Sequence, residues 1–242
     1  MATETKHYAL IGKHLGHSWS QRWFEAMFAR EGLEGHSYTL HEMPSLDGLR
    51  QWVGREHILG FNVTIPYKQA IMPMLDSVSR EADAIGAVNC VVVGGGRLIG
   101  HNTDAPAFAQ TLPANAAGNA ALILGTGGAA QAVAYALKTL GIKYQMVSRH
   151  PSGDAIGYSE ANLRAREFDI LVNATPAGMW PDVDSTPWSY GLEGFGLVYD
   201  LVYNPSPTIL LRQAAAAGAA TVDGLAMLQR QAELSWQLWR QQ

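Results

Sequence analysis

Three groupings in the chain have residue types and spacing suited to chemistry on a small polar molecule. The first is the glycine loop Gly125-Thr126-Gly127-Gly128-Ala129-Ala130, which follows the apolar run Leu122-Ile123-Leu124. A G-x-G-x-x-A loop between a strand and a helix is a dinucleotide fingerprint. Gly125 permits the tight turn, Gly127 lets backbone approach a pyrophosphate, and Ala130 permits close helix packing. Free N–H groups of the helix start then face the anion. Roughly twenty residues further on, Ser148-Arg149-His150 ends the next apolar run. An Asp or Glu there would read a ribose 2′-hydroxyl, whereas Arg149 can hold a 2′-phosphate as a bidentate pair, so NADP is expected over NAD.

The second grouping is a candidate acid–base pair. Lys68 closes Asn62-Val63-Thr64-Ile65-Pro66-Tyr67-Lys68, one turn into a helix that leaves a strand end, and Asp104 closes Asn102-Thr103-Asp104. Reduction of a carbonyl needs a group that protonates the developing alkoxide, and a lysine beside a carboxylate can serve. Asn89 lies at a similar loop boundary. Taken singly, Lys68 also reads as a surface lysine and Asp104 as a helix cap. The third grouping is Ser18 and Ser20, spaced i, i+2 at a helix start. Hydroxyls at a loop mouth can read a carboxylate or a polyol, and capping accounts for only one of them.

Strands and helices must position these groups. Periodicity and punctuation predict a strand over 8–12, an amphipathic helix over 19–31 stopped by Gly32, a strand over 36–40 and a short helix over 45–54. A strand over 60–64 and a helix opened by Pro66 follow. Residues 88–93 and 98–99, separated by Gly94-Gly95-Gly96, read as a hairpin. A helix is expected over 104–112, and the Pro-, Asn- and Gly-containing stretch 113–119 reads as a linker. From Ala120 strands are expected near 120–124, 143–147, 169–173, 197–201 and 219–222, with helices near 127–140, 206–217 and 225–240. Such βαβ alternation implies a parallel sheet covered on both faces.

At 242 residues the chain suits one large or two modest domains. Apolar residues make up 48% and charged residues 16%, which leaves a well-supplied interior and argues against long disorder. With 17 Lys+Arg against 21 Asp+Glu and no basic cluster, nucleic acid is a poor partner. The single Cys90 sits in an apolar run and cannot form an intrachain disulfide, which suits a reducing cytoplasm. The N-terminus lacks a secretory pattern and no apolar run is long enough to span a bilayer, so a cytoplasmic protein without a membrane segment is expected. The 8 histidines show no ligand spacing, and no metal site is expected.

Taken together, these segments resemble the shikimate dehydrogenase family, in order from near residue 8 to near 240. The motifs are His17-Ser18-Trp19-Ser20, Asn62 to Lys68, Gly86-Ala87-Val88-Asn89, Asn102 to Asp104, Asn173-Ala174-Thr175-Pro176-Ala177-Gly178-Met179, Asp200-Leu201-Val202-Tyr203-Asn204-Pro205, and Gly224-Leu225-Ala226-Met227-Leu228 with Gln231. The resemblance implies NADP-linked reduction of 3-dehydroshikimate to shikimate, a step toward chorismate and the aromatic amino acids. It implies two α/β domains, an N-terminal substrate domain (1–104 with 224–242) bearing a mixed, mainly parallel sheet and a Rossmann-like NADP domain (105–223), with the active site in the cleft between them. Carried over by position, Lys68 and Asp104 are the catalytic pair, and Ser18, Ser20, Thr64, Asn89, Tyr203 and Gln231 line the substrate. Gly125, Thr126, Gly127, Gly128, Ala129, Ala130, Ser148, Arg149, Thr175, Met179 and Gly224 would hold NADP(H). A monomer or homodimer is expected; the alternatives are quinate or a related cyclic hydroxy acid as substrate, or a non-catalytic dinucleotide-binding module on the same fold. The chain departs from the family pattern at Gln21, Phe24 and Glu25, at His150 in the cofactor clamp, and in a trimmed segment around 150–168.

Overall fold

The computed structural model describes residues 5–16, 18–116 and 119–241. It divides into two compact units: Met1–Thr103 with Gln229–Gln242, and Asp104–Leu228.

The first unit is built on a six-stranded sheet. In chain order it contains β1 (Lys6–Gly12), α1 (Trp19–Arg30), β2 (His36–Glu42), α2 (Leu49–Arg55), β3 (Ile58–Val63), α3 (Tyr67–Ala70), β4 (Ser77–Val78), α4 (Arg80–Ile85), β5 (Cys90–Gly94) and β6 (Arg97–His101). The sheet order is β2-β1-β3-β5-β6-β4. It is mixed: β1 pairs in parallel with β2 and β3, while β5 runs antiparallel to β3 and β6. Gly95 and Gly96, at φ 57° and 75°, make the two-residue reversal between β5 and β6 that only glycine adopts freely. Ile11, Phe61, Val63 and Val91 pack with Trp52 and Ile71 on one side. Tyr8, Phe24, Phe28, Tyr38, Trp236 and Trp239 form an aromatic core on the other. Trp239 lies over Gly60, where a Cβ would come within 2.4 Å of the indole, and its Nε1 donates to Val91 O at 2.9 Å.

The second unit contains α5 (Asp104–Thr111), β7 (Ala120–Leu124), α6 (Gly128–Thr139), β8 (Lys143–Val147), α7 (Tyr158–Leu163), β9 (Ile170–Asn173), β10 (Leu197–Asp200), α8 (Ile209–Ala216), β11 (Ala220–Val222) and the start of α9 (Leu225–Trp239). Its five strands run in the order β11-β10-β9-β7-β8, all parallel; the central β7, β9 and β10 are buried and apolar almost throughout, while the edge strands β8 and β11 are partly exposed. The division between units falls inside α9, whose residues from Gln229 on belong to the first unit.

The expected linker at 113–119 is not a boundary. Residues 114–116 form a tight 3-10 turn inside the second unit with Ala116 buried, and residues 117 and 118 lie outside the described residues. Composition alone does not separate a turn within a domain from a linker. Helices α4 and α7 were not expected from the pattern; each has only six residues, too few for a helical period to register.

Candidate active site

In the first unit the candidate residues gather at the ends of β1 and β3 and the loops beyond them. Ser18 caps α1, its Oγ accepting from Ser20 N at 3.2 Å, which leaves the largely buried Ser20 hydroxyl outside the capping role. His17 lies outside the described residues. The loop leading to Ser18 is braced by Glu42, whose carboxylate accepts from Leu15 N at 2.7 Å; that bond holds the carboxyl below its ordinary pKa. Thr64 follows β3 and crowds Gly12, where a Cβ would lie 2.7 Å from its methyl group. Lys68 is half-buried on α3, which is fastened at two points: Tyr67 Oη donates to Met43 O at 2.5 Å, and Val88 N donates to Lys68 O at 2.7 Å. The second bond ties the Lys68 backbone to the residue preceding Asn89.

Asn89 sits in a buried polar network. Its Oδ1 accepts from Thr103 N at 2.6 Å, and its Nδ2 donates to Thr103 Oγ1 at 2.9 Å and more distantly to Gln231 Oε1 at 3.5 Å. Asn62 Nδ2 donates to Asn89 O and to Ser235 Oγ, while Asn62 Oδ1 accepts from the buried Tyr38 hydroxyl. Ser235, one turn beyond Gln231 and wholly buried, donates to Gln231 O at 2.9 Å and lies 3.3 Å from Thr103 Oγ1. The sequence gives Thr103 only as the middle of Asn102-Thr103-Asp104 and does not point to Ser235 or Tyr38 as supports. A serine or threonine among apolar helix and strand residues carries no distinguishing pattern, and only the fold shows which polar atoms it must satisfy.

In the second unit β7 is flanked by β8 on one side and β9 on the other, so the strand order reverses at β7/β9. Open parallel sheets bind ligands outside the carboxyl ends of the strands at this switch point. Gly125 follows β7 at φ 112°, and a Cβ there would lie 3.2 Å from both Ala174 O and Thr175 Cγ2. The turn after β7 therefore packs against the segment after β9. Gly127, at an ordinary φ of −76°, caps α6, which has no side-chain cap and no acidic residue in its first turn. A Cβ on Gly127 would meet nothing within 4 Å. Neither backbone strain nor protein packing demands glycine at 127, and the open space in front of an uncapped helix N-terminus suits a pyrophosphate. Ala130 is fully buried at the helix–sheet contact.

Ser148 follows β8 in a tight turn in which its Oγ accepts from His150 N, leaving Arg149 exposed. Burial keeps the nearby Tyr158 phenol above its ordinary pKa, partly offset by the Arg149 charge. Thr175 is held by Asn173, and Met179 and Trp180 are exposed. Tyr203 follows β10. Gly224 is explained by packing, since a Cβ there would lie 2.0 Å from Leu201 O. Asp104 is the buried first residue of α5 in the second unit, directly after Thr103 of the Asn89 network. Among the described residues no group of three or more His, Cys, Asp or Glu could hold a metal ion, and no helix is long and apolar enough to cross a membrane.

Fold and site define a two-unit α/β protein in which one unit has the architecture of a dinucleotide-binding domain. Residues 10–91 match the shikimate dehydrogenase substrate binding domain. The shikimate dehydrogenase (NADP(+)) of Symbiobacterium thermophilum is 37% identical over 260 residues, covering 95% of this chain and 87% of that protein. Shikimate dehydrogenase 1 from Peptoclostridium difficile superposes with a TM-score of 0.90 at 36% identity, covering 98% of this chain and 92% of the other. Shikimate 5-dehydrogenase from Thermus thermophilus, in complex with NADP(H) and shikimate, gives a TM-score of 0.86 at 37% identity, covering 98% of this chain and 94% of the other. The chain belongs to the shikimate dehydrogenase family.

Proposed function

We propose that the protein catalyses the reversible, NADPH-dependent reduction of 3-dehydroshikimate to shikimate. What carries this reading, beside family membership, is that one chain holds both halves of such a reductase. The first unit has a buried amide and hydroxyl network next to a lysine-bearing helix, and the second has an open glycine turn at a switch point. In this reading the first unit is the substrate side and the second the NADP(H) side.

NADPH, when bound, supplies the hydride that reaches the ketone carbon. Gly125 to Ala130 hold the pyrophosphate at the start of α6, Ser148 and Arg149 take the 2′-phosphate, and Thr175, Met179 and Gly224 border the rest of the dinucleotide. The Ser18 and Ser20 hydroxyls donate to the substrate carboxylate. Thr64, Asn89, Tyr203 and Gln231 orient the ring hydroxyls. Lys68 donates the proton to the oxygen on which negative charge develops, and Asp104 is the catalytic carboxylate. Fixing these donors in advance supplies much of the rate, because no reorganisation is left to the moment of reaction.

The test is NADPH oxidation with 3-dehydroshikimate, and the reverse reaction with shikimate or quinate against NADP or NAD. Turnover is expected with shikimate and NADP above the other combinations. NADPH binding without turnover of either acid would sink the reading.

A further inference from the structure

We propose that Asp200 is a positioning residue for the dinucleotide side: through Asn173 its carboxylate sets the shape of the segment 173–179 that presents Thr175 and Met179 to NADP(H). This rests on the reading of the second unit as the NADP(H) side.

Asp200 and Asn173 end β10 and β9 as register partners, and both are fully buried. A carboxylate removed from water is costly unless its lone pairs are filled. Asp200 Oδ1 accepts from Asn173 Nδ2 at 2.8 Å and Val202 N at 3.0 Å, and Oδ2 accepts from Thr208 Oγ1 at 2.7 Å. None of these donors is a cation. Burial raises the Asp200 carboxyl to about 6, against the three hydrogen bonds, and Asp223 adds to the rise.

The fold therefore keeps an acceptor here, and Asn173 shows what it does. Asn173 Oδ1 accepts from Thr175 N at 2.9 Å and from Thr175 Oγ1 at 2.7 Å, and Nδ2 also donates to Ala177 O at 3.3 Å. An amide can be turned over, exchanging its donor and acceptor ends. With Asp200 Oδ1 and Ala177 O on one side, the donor end must face them, so the acceptor end must face Thr175. Asp200 thus sets the polarity of a chain of hydrogen bonds that ends on Thr175, and Thr175 Oγ1 passes it on by accepting from Ala177 N at 3.3 Å. The same segment walls the Gly125 turn, as the 3.2 Å approach of Ala174 O and Thr175 Cγ2 shows. Further along, Gly178 N donates to Ser185 Oγ at 2.8 Å, and Gly178, at φ 87°, adopts a conformation that favours glycine.

Three variants test this, with the NADPH Kd read by fluorescence titration beside the shikimate KM at saturating NADP and the melting temperature. Asp200→Ala removes the acceptor and is expected to raise the NADPH Kd about tenfold while the shikimate KM stays within about twofold. Asp200→Asn keeps an oxygen for Asn173 and Val202 and offers its amide to Thr208, so its Kd is expected within about threefold of wild type. Asn173→Ala leaves the other Asp200 bonds in place, and its weakening is expected to match that of Asp200→Ala without adding to it. A folded Asp200→Ala with an unchanged NADPH Kd would overturn the proposal, as would an Asp200→Asn as weak as Asp200→Ala. If Asp200→Ala does not fold, Asn173→Ala decides, and an unchanged Kd overturns the proposal. A wild-type protein that does not bind NADPH would instead strike the functional reading beneath it.

Discussion

Gly125, Gly127 and Gly224 are glycines for three different reasons. Gly125 needs its positive φ, Gly224 has the Leu201 carbonyl where a Cβ would stand, and Gly127 has neither constraint. Gly127→Ala is therefore expected to leave the melting temperature unchanged and to weaken NADPH binding by on the order of tenfold or more, because the added methyl stands where the pyrophosphate approaches. Calorimetry beside an NADPH titration checks it, and a lower melting temperature with unchanged binding contradicts it. Lys68→Ala is expected to lower kcat by ~10²–10⁴ with little change in KM, since proton delivery acts in the transition state. A near-wild-type kcat would remove Lys68 from that role. Asp200 adds a pH signature. Its carboxyl is raised from 3.8 to about 6 in the folded chain, so between those values the folded state binds a proton that the unfolded state does not, and stability falls as pH rises through that window. The stability of wild type minus that of Asp200→Asn, measured by urea denaturation, is expected to drop by about 2 kcal/mol from pH ~4 to ~7. A difference independent of pH would rule this out. The placement of the glycine loop between β7 and α6, of Lys68 on the helix after β3 and of Ser18 at the start of α1 was legible from residue type and spacing. Asp200 was legible only as part of a resemblance motif, because its partner Asn173 lies 27 residues away and meets it only once β9 and β10 are paired.

At the scale of elements, α9 does more than cover the sheet. Its apolar residues Ala232, Trp236 and Trp239 fill the aromatic core, and that stripe is legible as helical periodicity. Ser235 interrupts the stripe with a wholly buried hydroxyl that accepts from Asn62 and closes on Gln231. Ser235→Ala leaves the Asn62 amide one acceptor short in a site without water access, which costs about 1–3 kcal/mol. Because Asn62 also holds the Asn89 carbonyl, the shikimate KM is expected to rise several-fold while the NADPH Kd is unchanged. Denaturation midpoints and paired titrations check both halves, and an unaltered KM would show that the network is only structural. The longer helices agreed with their expected positions to within a few residues because their burial repeats at the helical period, and the strands did so as short runs between turn residues. The six-residue helices α4 and α7 were set by their ends and by packing instead: Ser79 Oγ accepts from Ala82 N at the start of α4 and Gly86 at φ 71° ends it, while α7 buries Ala161.

The whole molecule carries few charges, and the proposed anion sites use placed groups in place of a basic surface: two serines on one unit, a helix start and Arg149 on the other. The chain passes from the first unit to the second between Thr103 and Asp104 and returns between Leu228 and Gln229. The first passage is at the first residue of α5 and the second is within α9. Most of the groups assigned to shikimate lie in the first unit and those assigned to NADP(H) lie in the second, so each ligand should stabilise mainly the unit that supplies most of its groups. A ligand at a hundred times its Kd stabilises what it binds by about 2.7 kcal/mol, which slows sub-global opening there about a hundredfold. In hydrogen exchange, NADP alone is expected to protect amides in 125–130, 147–150 and 173–179, and shikimate alone those in 18–20, 62–68 and 87–90. The α9 amides distinguish the units internally: those near Gln231 and Ser235 should respond to shikimate, and those around Gly224 to NADP. Equal protection of both units by either ligand would show that they open as one cooperative block, and protection by NADP in the shikimate set alone would reverse the assignment of the two units.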